Sequence, residues 1–215
     1  MNFNLNFFRL PSISYAVTAC NEVKELKVLL DILLKNKGNN DEIIVLLDIS
    51  HANPEMHRLL ASYPSIVKIE STLNGDFATF KNKLLATASK DYLFQIDADE
   101  FPRDELFKKL KWFLFKNYKA DCFLVPRINI VDDITDKDMQ TWGWNKNADG
   151  YINFPDFQTR IMKNNGKIYW VNKVHEVLTN YKKQKTLPIK NYDFCLVHPK
   201  NIEKQRLQND FYDTL

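Results

Sequence analysis

Apolar residues fall along this chain in two alternating rhythms, and the switching between them sets out the fold. Ile13-Ser14-Tyr15-Ala16-Val17 is a run of strand-forming residues, after which Val23, Leu26, Leu30, Leu33 and Leu34 recur at helical spacing up to Gly38. Glu42-Ile43-Ile44-Val45-Leu46-Leu47 reads as a second strand, continuously apolar as a strand buried on both faces is. The same reasoning predicts a helix from Pro54, a short strand at Ile66-Val67-Lys68-Ile69, and a helix marked by Phe77, Phe80, Leu84, Leu85 and Ala88. The strand Tyr92-Leu93-Phe94-Gln95-Ile96 then runs directly into Asp97. One more helix carries Leu106, Leu110, Phe113 and Leu114, with Pro102 and Asp104 expected in its first turn, and Cys122-Phe123-Leu124-Val125 is a further strand. Strands alternating with helices in this way indicate a parallel α/β sheet.

Beyond Val125 the pattern changes. Residues 132–155 are polar and aromatic without a clear period, with Trp142-Gly143-Trp144 in the middle, and so long a stretch is more often functional than idle. Two strand candidates follow, at Gln158 to Met162 and Ile168 to Val171, then the segment Val174-His175-Glu176-Val177, and residues 202–215 read as a helix with apolar Leu207, Phe211 and Leu215. The second half is therefore expected to add α+β elements that close over one edge of the sheet.

Composition narrows the class. A chain of 215 residues with 45% hydrophobic content buries one full core and suits one domain. A net charge of +3 is too small to announce a nucleic-acid partner. Cys20, Cys122 and Cys195 are odd in number and far apart, as for reduced thiols. The N-terminal residues have no secretory pattern, and no apolar run approaches the roughly 20 residues of a membrane span. The expectation is a cytoplasmic protein, with attachment to the inner face of a membrane left open.

Candidate chemistry gathers where the strands end. Asp97-Ala98-Asp99-Glu100 follows an apolar strand directly, and ligand sites of open α/β sheets lie outside those carboxyl ends. Two carboxylates one residue apart could turn toward a nucleotide and toward a hard cation on its phosphates; an acidic turn or a helix cap is the plainer alternative. The first strand exits into Thr18-Ala19-Cys20-Asn21-Glu22, where Thr18, Asn21 and Glu22 could hydrogen-bond a nucleobase or cap the next helix. The second strand ends in Asp48.

Taken in order, Tyr15 to Glu22, Leu47-Asp48, Asn74-Gly75 with Lys81-Asn82, and Phe94 to Glu100 resemble the family 2 glycosyltransferases of GT-A fold. The later elements Pro155 to Met162, Trp170, Val174-His175-Glu176 and Leu196-Val197-His198 are similar to a branch acting on bacterial surface polysaccharides and lipopolysaccharide core. Two departures stand out: Lys81 replaces the commoner arginine, and Asp48 is followed by Ile49-Ser50-His51 rather than Asp-Gly-Ser.

The resemblance implies a mostly parallel Rossmann-like sheet flanked by helices, with residues 1–100 as a nucleotide-binding half and 101–215 completing the acceptor and metal side. It implies that Thr18, Glu22 and Asp48 line a nucleoside pocket, that Lys81 faces the diphosphate or base, and that Asp97 approaches the ribose. Asp99 would ligate the metal, Mn2+ or Mg2+, with His198 as the later ligand. Arg160 would contact donor phosphates or pair with Asp156. Glu176 is the expected base, His175 its partner or a diphosphate ligand, and Asp156 the alternative base. Trp142 and Trp144 are expected to face the acceptor. The implied reaction moves a hexose, with inversion, from a nucleotide-sugar such as a UDP-sugar to a hydroxyl of a glycan or glycolipid, a protein or modified nucleic acid staying open. A nucleotidyltransferase is the rival enzyme, although no Gly-rich phosphate loop follows the first strand. A nucleotide- or carbohydrate-binding module without turnover is the other rival, although Asp97, Asp99, Glu176 and His198 are all retained.

Overall fold

The computed structural model describes residues 9–200 together with Ile202, Glu203 and Gln205. The first part alternates as the pattern predicts: β1 (Ile13–Ala19), α1 (Val23–Asn36), β2 (Glu42–Asp48), α2 (Pro54–Ala61), β3 (Val67–Ser71), α3 (Phe77–Thr87) and β4 (Tyr92–Asp97). The second part comprises β5 (Phe101–Pro102), α4 (Asp104–Lys116), β6 (Cys122–Val131), α5 (Asp136–Trp142), β7 (Ile152–Lys163), β8 (Tyr169–Val171), β9 (Val177–Thr179), β10 (Gln184–Thr186) and β11 (Leu196–Lys200).

Among the described residues the main sheet has nine strands in the order β3-β2-β1-β4-β7-β6-β11-β5, with β10 also pairing with β6. The β3, β2, β1 and β4 strands are parallel, β7 runs antiparallel between β4 and β6, and β11 lies parallel to β6. The α+β additions thus extend the parallel sheet beyond the edge of β4.

Helices cover both faces, which is why the central strands are apolar at successive positions. On β1, Tyr15, Val17 and Ala19 join one core cluster with Leu26, Leu29, Leu30 and Leu33 of α1 and Leu106, Leu110 and Leu114 of α4. Ala16 points to the other cluster, with Ile44, Leu46, Leu93 and the α3 residues Ala78, Phe80 and Leu84. Each of these four α1 leucines, fully buried, contributes about 2 kcal/mol of transfer free energy. Local signals start the helices that support the ligand edge. Asn53 accepts from the Met56 amide ahead of Pro54, and Asp76 accepts from the Thr79 amide at 2.9 Å.

Several sequence expectations change. Pro102 lies in β5, outside the first turn of α4, which begins at Asp104. The strand expected at Cys122–Val125 continues to Val131. Pro126 is tolerated inside it because β10 pairs only with Cys122–Leu124 and β11 only from Arg127 onward, leaving Pro126 between the two partners. The stretch 132–155 contains α5, started by a reciprocal capping box between Thr135 and Asp138 and stopped by Gly143 in the left-handed conformation. The strand expected at Gln158–Met162 begins at Ile152. Val174-His175-Glu176 forms a turn, with Asn172 and His175 both at positive φ, and β9 starts at Val177. Apart from Ile202, Glu203 and Gln205, the helix expected over 202–215 lies outside the described residues.

Candidate active site

The parallel strands β1 and β4 deliver the first polar pair of the site in register. Thr18 stands opposite Asp97 in the β1–β4 pair, and its hydroxyl donates to Asp97 Oδ1 at 3.0 Å. Asn21 and Glu22 follow at the β1 exit. Glu22 occupies the N-cap position of α1 without a side-chain capping bond there, and its carboxylate accepts from the amides of Cys20 and Asn21. Neither Thr18 nor Asn21 caps α1. Asp48, nearly buried at the end of β2, accepts from the amides of Ser50 and Leu73 and so ties the β2 exit to the loop after β3. Burial raises its pKa, but these hydrogen bonds outweigh that and hold it below the usual carboxylate range.

The loop after β4 is folded around Glu100, whose side chain has no exposed surface. Glu100 Oε2 accepts from the Asp97 amide, while Oε1 accepts from Arg127 at 3.0 Å and from Arg160. This is neither a solubilising turn nor a cap, since Arg103 is the N-cap residue of α4. Arg160 also donates to Asp97 Oδ2 and is 5% exposed. The expected pairing of Arg160 with Asp156 is therefore corrected: Arg160 is committed to Asp97 and Glu100, and Asp156 pairs with Arg127. A guanidinium enclosed by two carboxylates also has little reach toward donor phosphates. Burial alone would raise the Asp97 pKa; Arg160, Lys81 and Thr18 reverse this and keep it ionised far below the ordinary value.

Asp156, on β7 opposite Arg127 on β6, accepts from Arg127 Nε and Nη2 at 2.9 and 2.7 Å, from Asn129 at 2.8 Å and from Gln158 at 2.6 Å. Burial pushes its pKa up, and Arg127 with the amide donors pulls it below normal. Asn129 and His198 are direct neighbours in the parallel β6–β11 pair, with Asn129 Oδ1 3.0 Å from His198 Nδ1. The other imidazole nitrogen, Nε2, lies 3.5 Å from Asp99 Oδ2. The structure thus brings Asp99 and His198 together and links them through Asn129 to Asp156.

Among the described residues no group of three or more His, Cys, Asp and Glu could hold a cation by itself. The Asp99–His198 pair fits a cation that takes its remaining ligands from phosphate and water, as Mg2+ and Mn2+ do at nucleotide sites. Their separation suits neighbouring ligands that each lie about 2 Å from one ion.

Lys81, Glu176 and His175 lie on α3 and in the turn after β8. Lys81, on α3, is ion-paired with Glu176 and sits 5.1 Å over the Trp170 ring. Asn82 donates to the Trp170 carbonyl and accepts from its amide, anchoring β8 and the turn that follows it to α3. His175 is exposed in that turn. Trp142 and Trp144 pack against each other at 4.9 Å. Only Trp144 lines the cleft of about 360 Å³ that it shares with Asn129, Ile152, Pro155, Asp156, Phe157 and Lys200. Lys200 Nζ lies 5.7 Å from the Trp144 ring; burial and Arg127 lower its pKa against the opposing pull of Asp156 and Asp99.

Four residues of this constellation carry no sequence expectation: the structural role of Glu100, and Arg127, Asn129 and Lys200. Arg127 and Asn129 both reach Asp156 from β6, although the β6–β7 register shifts between them, so no pattern within the strand marks the pair.

The family model of glycosyl transferase family 2 matches residues 14–200. The chain is 26% identical over 174 residues to the SPbeta prophage-derived glycosyltransferase SunS of Bacillus subtilis (strain 168), covering 80% of this chain and 36% of that protein. The chain therefore spans about a third of the length of the curated relatives it matches. S. aureus TarS 1–349 superimposes with a TM-score of 0.60 at 16% identity, over 87% of this chain and 60% of that one. Its complex with UDP-GlcNAc gives 0.61 at 17% identity, over 88% and 58%. The mixed sheet with its acidic strand exit is the GT-A architecture, and the chain belongs to glycosyl transferase family 2.

Proposed function

We propose that this chain transfers a hexose from a nucleoside diphosphate donor to an acceptor hydroxyl, with a divalent cation, Mn2+ or Mg2+, held by Asp99 and His198. The observation that carries this reading is the Asp99–His198 pair at the carboxyl edge of the sheet, with Nε2 turned toward the carboxylate. A UDP-sugar is the donor we assign; TarS, which shares the fold, was solved with UDP-GlcNAc.

The residues divide the work as follows. Asp97, kept ionised, accepts from the ribose hydroxyls, and Thr18, Glu22 and Asp48 border the nucleoside. The acceptor oxygen forms a bond to the anomeric carbon as the bond to the diphosphate breaks, and this displacement inverts the carbon. Negative charge grows on the departing diphosphate, where the cation when bound supplies Lewis-acid stabilisation and Lys81 a second positive charge. The acceptor proton passes to a carboxylate. One observation supports Asp156 over Glu176 in that role: Asp156 lines the cleft beside Trp144 and Phe157, where an acceptor would sit. The cleft would receive a sugar ring of a glycan or glycolipid against the Trp144 face. Among the described residues no helix is long and apolar enough to cross a membrane.

Calorimetric titration of UDP with Mn2+, with EDTA, and into Asp99→Asn tests the reading. Binding that requires both the cation and Asp99 is expected; equally tight binding in EDTA would overturn it.

A further inference from the structure

We infer that Asn129 is a positioning residue whose amide locks the His198 imidazole in the tautomer that presents a bare Nε2 toward Asp99 and the cation. The inference rests on the cation role proposed above, and deepens it by naming what aims the ligand.

The argument follows from which end of the amide faces which neighbour. Asn129 Nδ2 is 2.8 Å from Asp156 Oδ2. An ionised carboxylate only accepts hydrogen bonds, so the group facing it must be the NH2. Turning the amide over would set its oxygen against that carboxylate, two acceptors at hydrogen-bond distance. The amide oxygen therefore faces His198 Nδ1, at 3.0 Å. An oxygen there requires a proton on Nδ1, and a neutral imidazole has only one N–H to place, so Nε2 carries the lone pair.

Asp156 is itself fixed. Arg127 grips it through two nitrogens, and Gln158 donates to its other oxygen. The order of control is thus Arg127, Asp156, Asn129, His198. The first and last steps join directly paired residues, Arg127 with Asp156 across β6–β7 and Asn129 with His198 across β6–β11, while Asn129, in register with Ile152, reaches Asp156 diagonally. Asn129 is 6% exposed and the His198 side chain 12%, so water offers little competition for either contact. Partners behind a metal-bound histidine typically change metal affinity by about 10- to 100-fold when removed.

The first measurement needs no variant. Long-range 1H–15N correlation spectra of histidine-labelled wild-type protein, at about pH 8.5 where imidazole is neutral, report each tautomer directly. The His198 signal is assigned by its loss in His198→Gln. A protonated Nδ1 and bare Nε2 are expected, and a proton on Nε2 would overturn the inference. The second measurement follows Mn2+ binding in the presence of UDP by electron paramagnetic resonance, in the wild type and in Asn129→Ala. The variant should bind Mn2+ about 10- to 100-fold more weakly and populate the Nε2–H tautomer. Unchanged Mn2+ affinity in a folded Asn129→Ala would overturn the positioning role, whatever that substitution does to the melting temperature. If wild-type protein showed the expected tautomer but bound no Mn2+, the cation reading would fall while the amide lock stood.

Discussion

Replacing Arg160 by methionine tests whether this arginine holds the acidic loop or serves the donor. The side chain is 5% exposed and lies between Asp97 and a Glu100 carboxylate with no exposed surface. Methionine keeps much of the volume and removes the charge. Removing one partner of a buried ion pair typically costs about 3–5 kcal/mol, because the other charge is left without compensation. Here Glu100 keeps Arg127 at 3.0 Å and the Asp97 amide, and Asp97 is a third exposed and keeps Thr18. The cost should fall at the low end, about 3 kcal/mol, or about 9 °C in melting temperature for a domain of this size. Adding Glu100→Gln neutralises the stranded carboxylate, so the double variant should recover at least about 1.5 kcal/mol relative to the sum of the two singles. Urea unfolding followed by circular dichroism, on all four proteins, measures both quantities. A loss below about 1 kcal/mol in Arg160→Met, or additivity in the cycle, would refute the claim that Arg160 and Glu100 act as a buried unit.

The remaining expectations concern the site and its support. Asp156→Asn should lower kcat by about 10²- to 10⁴-fold with donor KM little changed, whereas Glu176→Gln should act mainly on donor KM; steady-state kinetics showing the reverse would return the base to Glu176. Because the Asp156 pKa is depressed in the folded protein, its stabilisation is present above the unfolded value and is lost as pH falls through the folded one. Melts between about pH 5 and pH 2 should therefore show a smaller acid loss for Asp156→Asn than for wild type. The same depression keeps this carboxylate ionised at neutral pH, so the acid limb of kcat should lie below the ordinary carboxylate range. Asn82→Leu strands the amide and carbonyl of Trp170 and should cost about 2 kcal/mol; hydrogen exchange in β8 should accelerate, and donor KM should rise as the 172–176 turn loosens.

What the sequence disclosed and what it hid separate along a physical line. β1, β2 and β4 are legible because burial on both faces leaves unbroken apolar runs, and Thr18, Asp48 and Asp97 are legible because each stands where such a run stops. The short α5 is hidden because seven residues hold less than two full turns' worth of apolar spacing; its signal is the Thr135–Asp138 capping box alone. Arg127 and Asn129 are hidden because their meaning lies in strand pairings with residues far along the chain. Asp156 and His198 become their neighbours only through the β6–β7 and β6–β11 registers. The turn at Val174–Glu176 is hidden for a similar reason: its backbone passes through left-handed Asn172 and His175, and no glycine marks either position.

The late position of β11 also bears on how the protein comes into being on the ribosome. β1, β2, β3 and β4 are contiguous in the chain and can assemble as soon as they emerge. Asp99 must wait for nearly half of the described chain to be synthesised before His198 arrives beside it, and β5 meets β11 only then, through Phe101 and Val197. A nascent product would therefore hold the parallel strands β1–β4 before the Asp99–His198 pair can form.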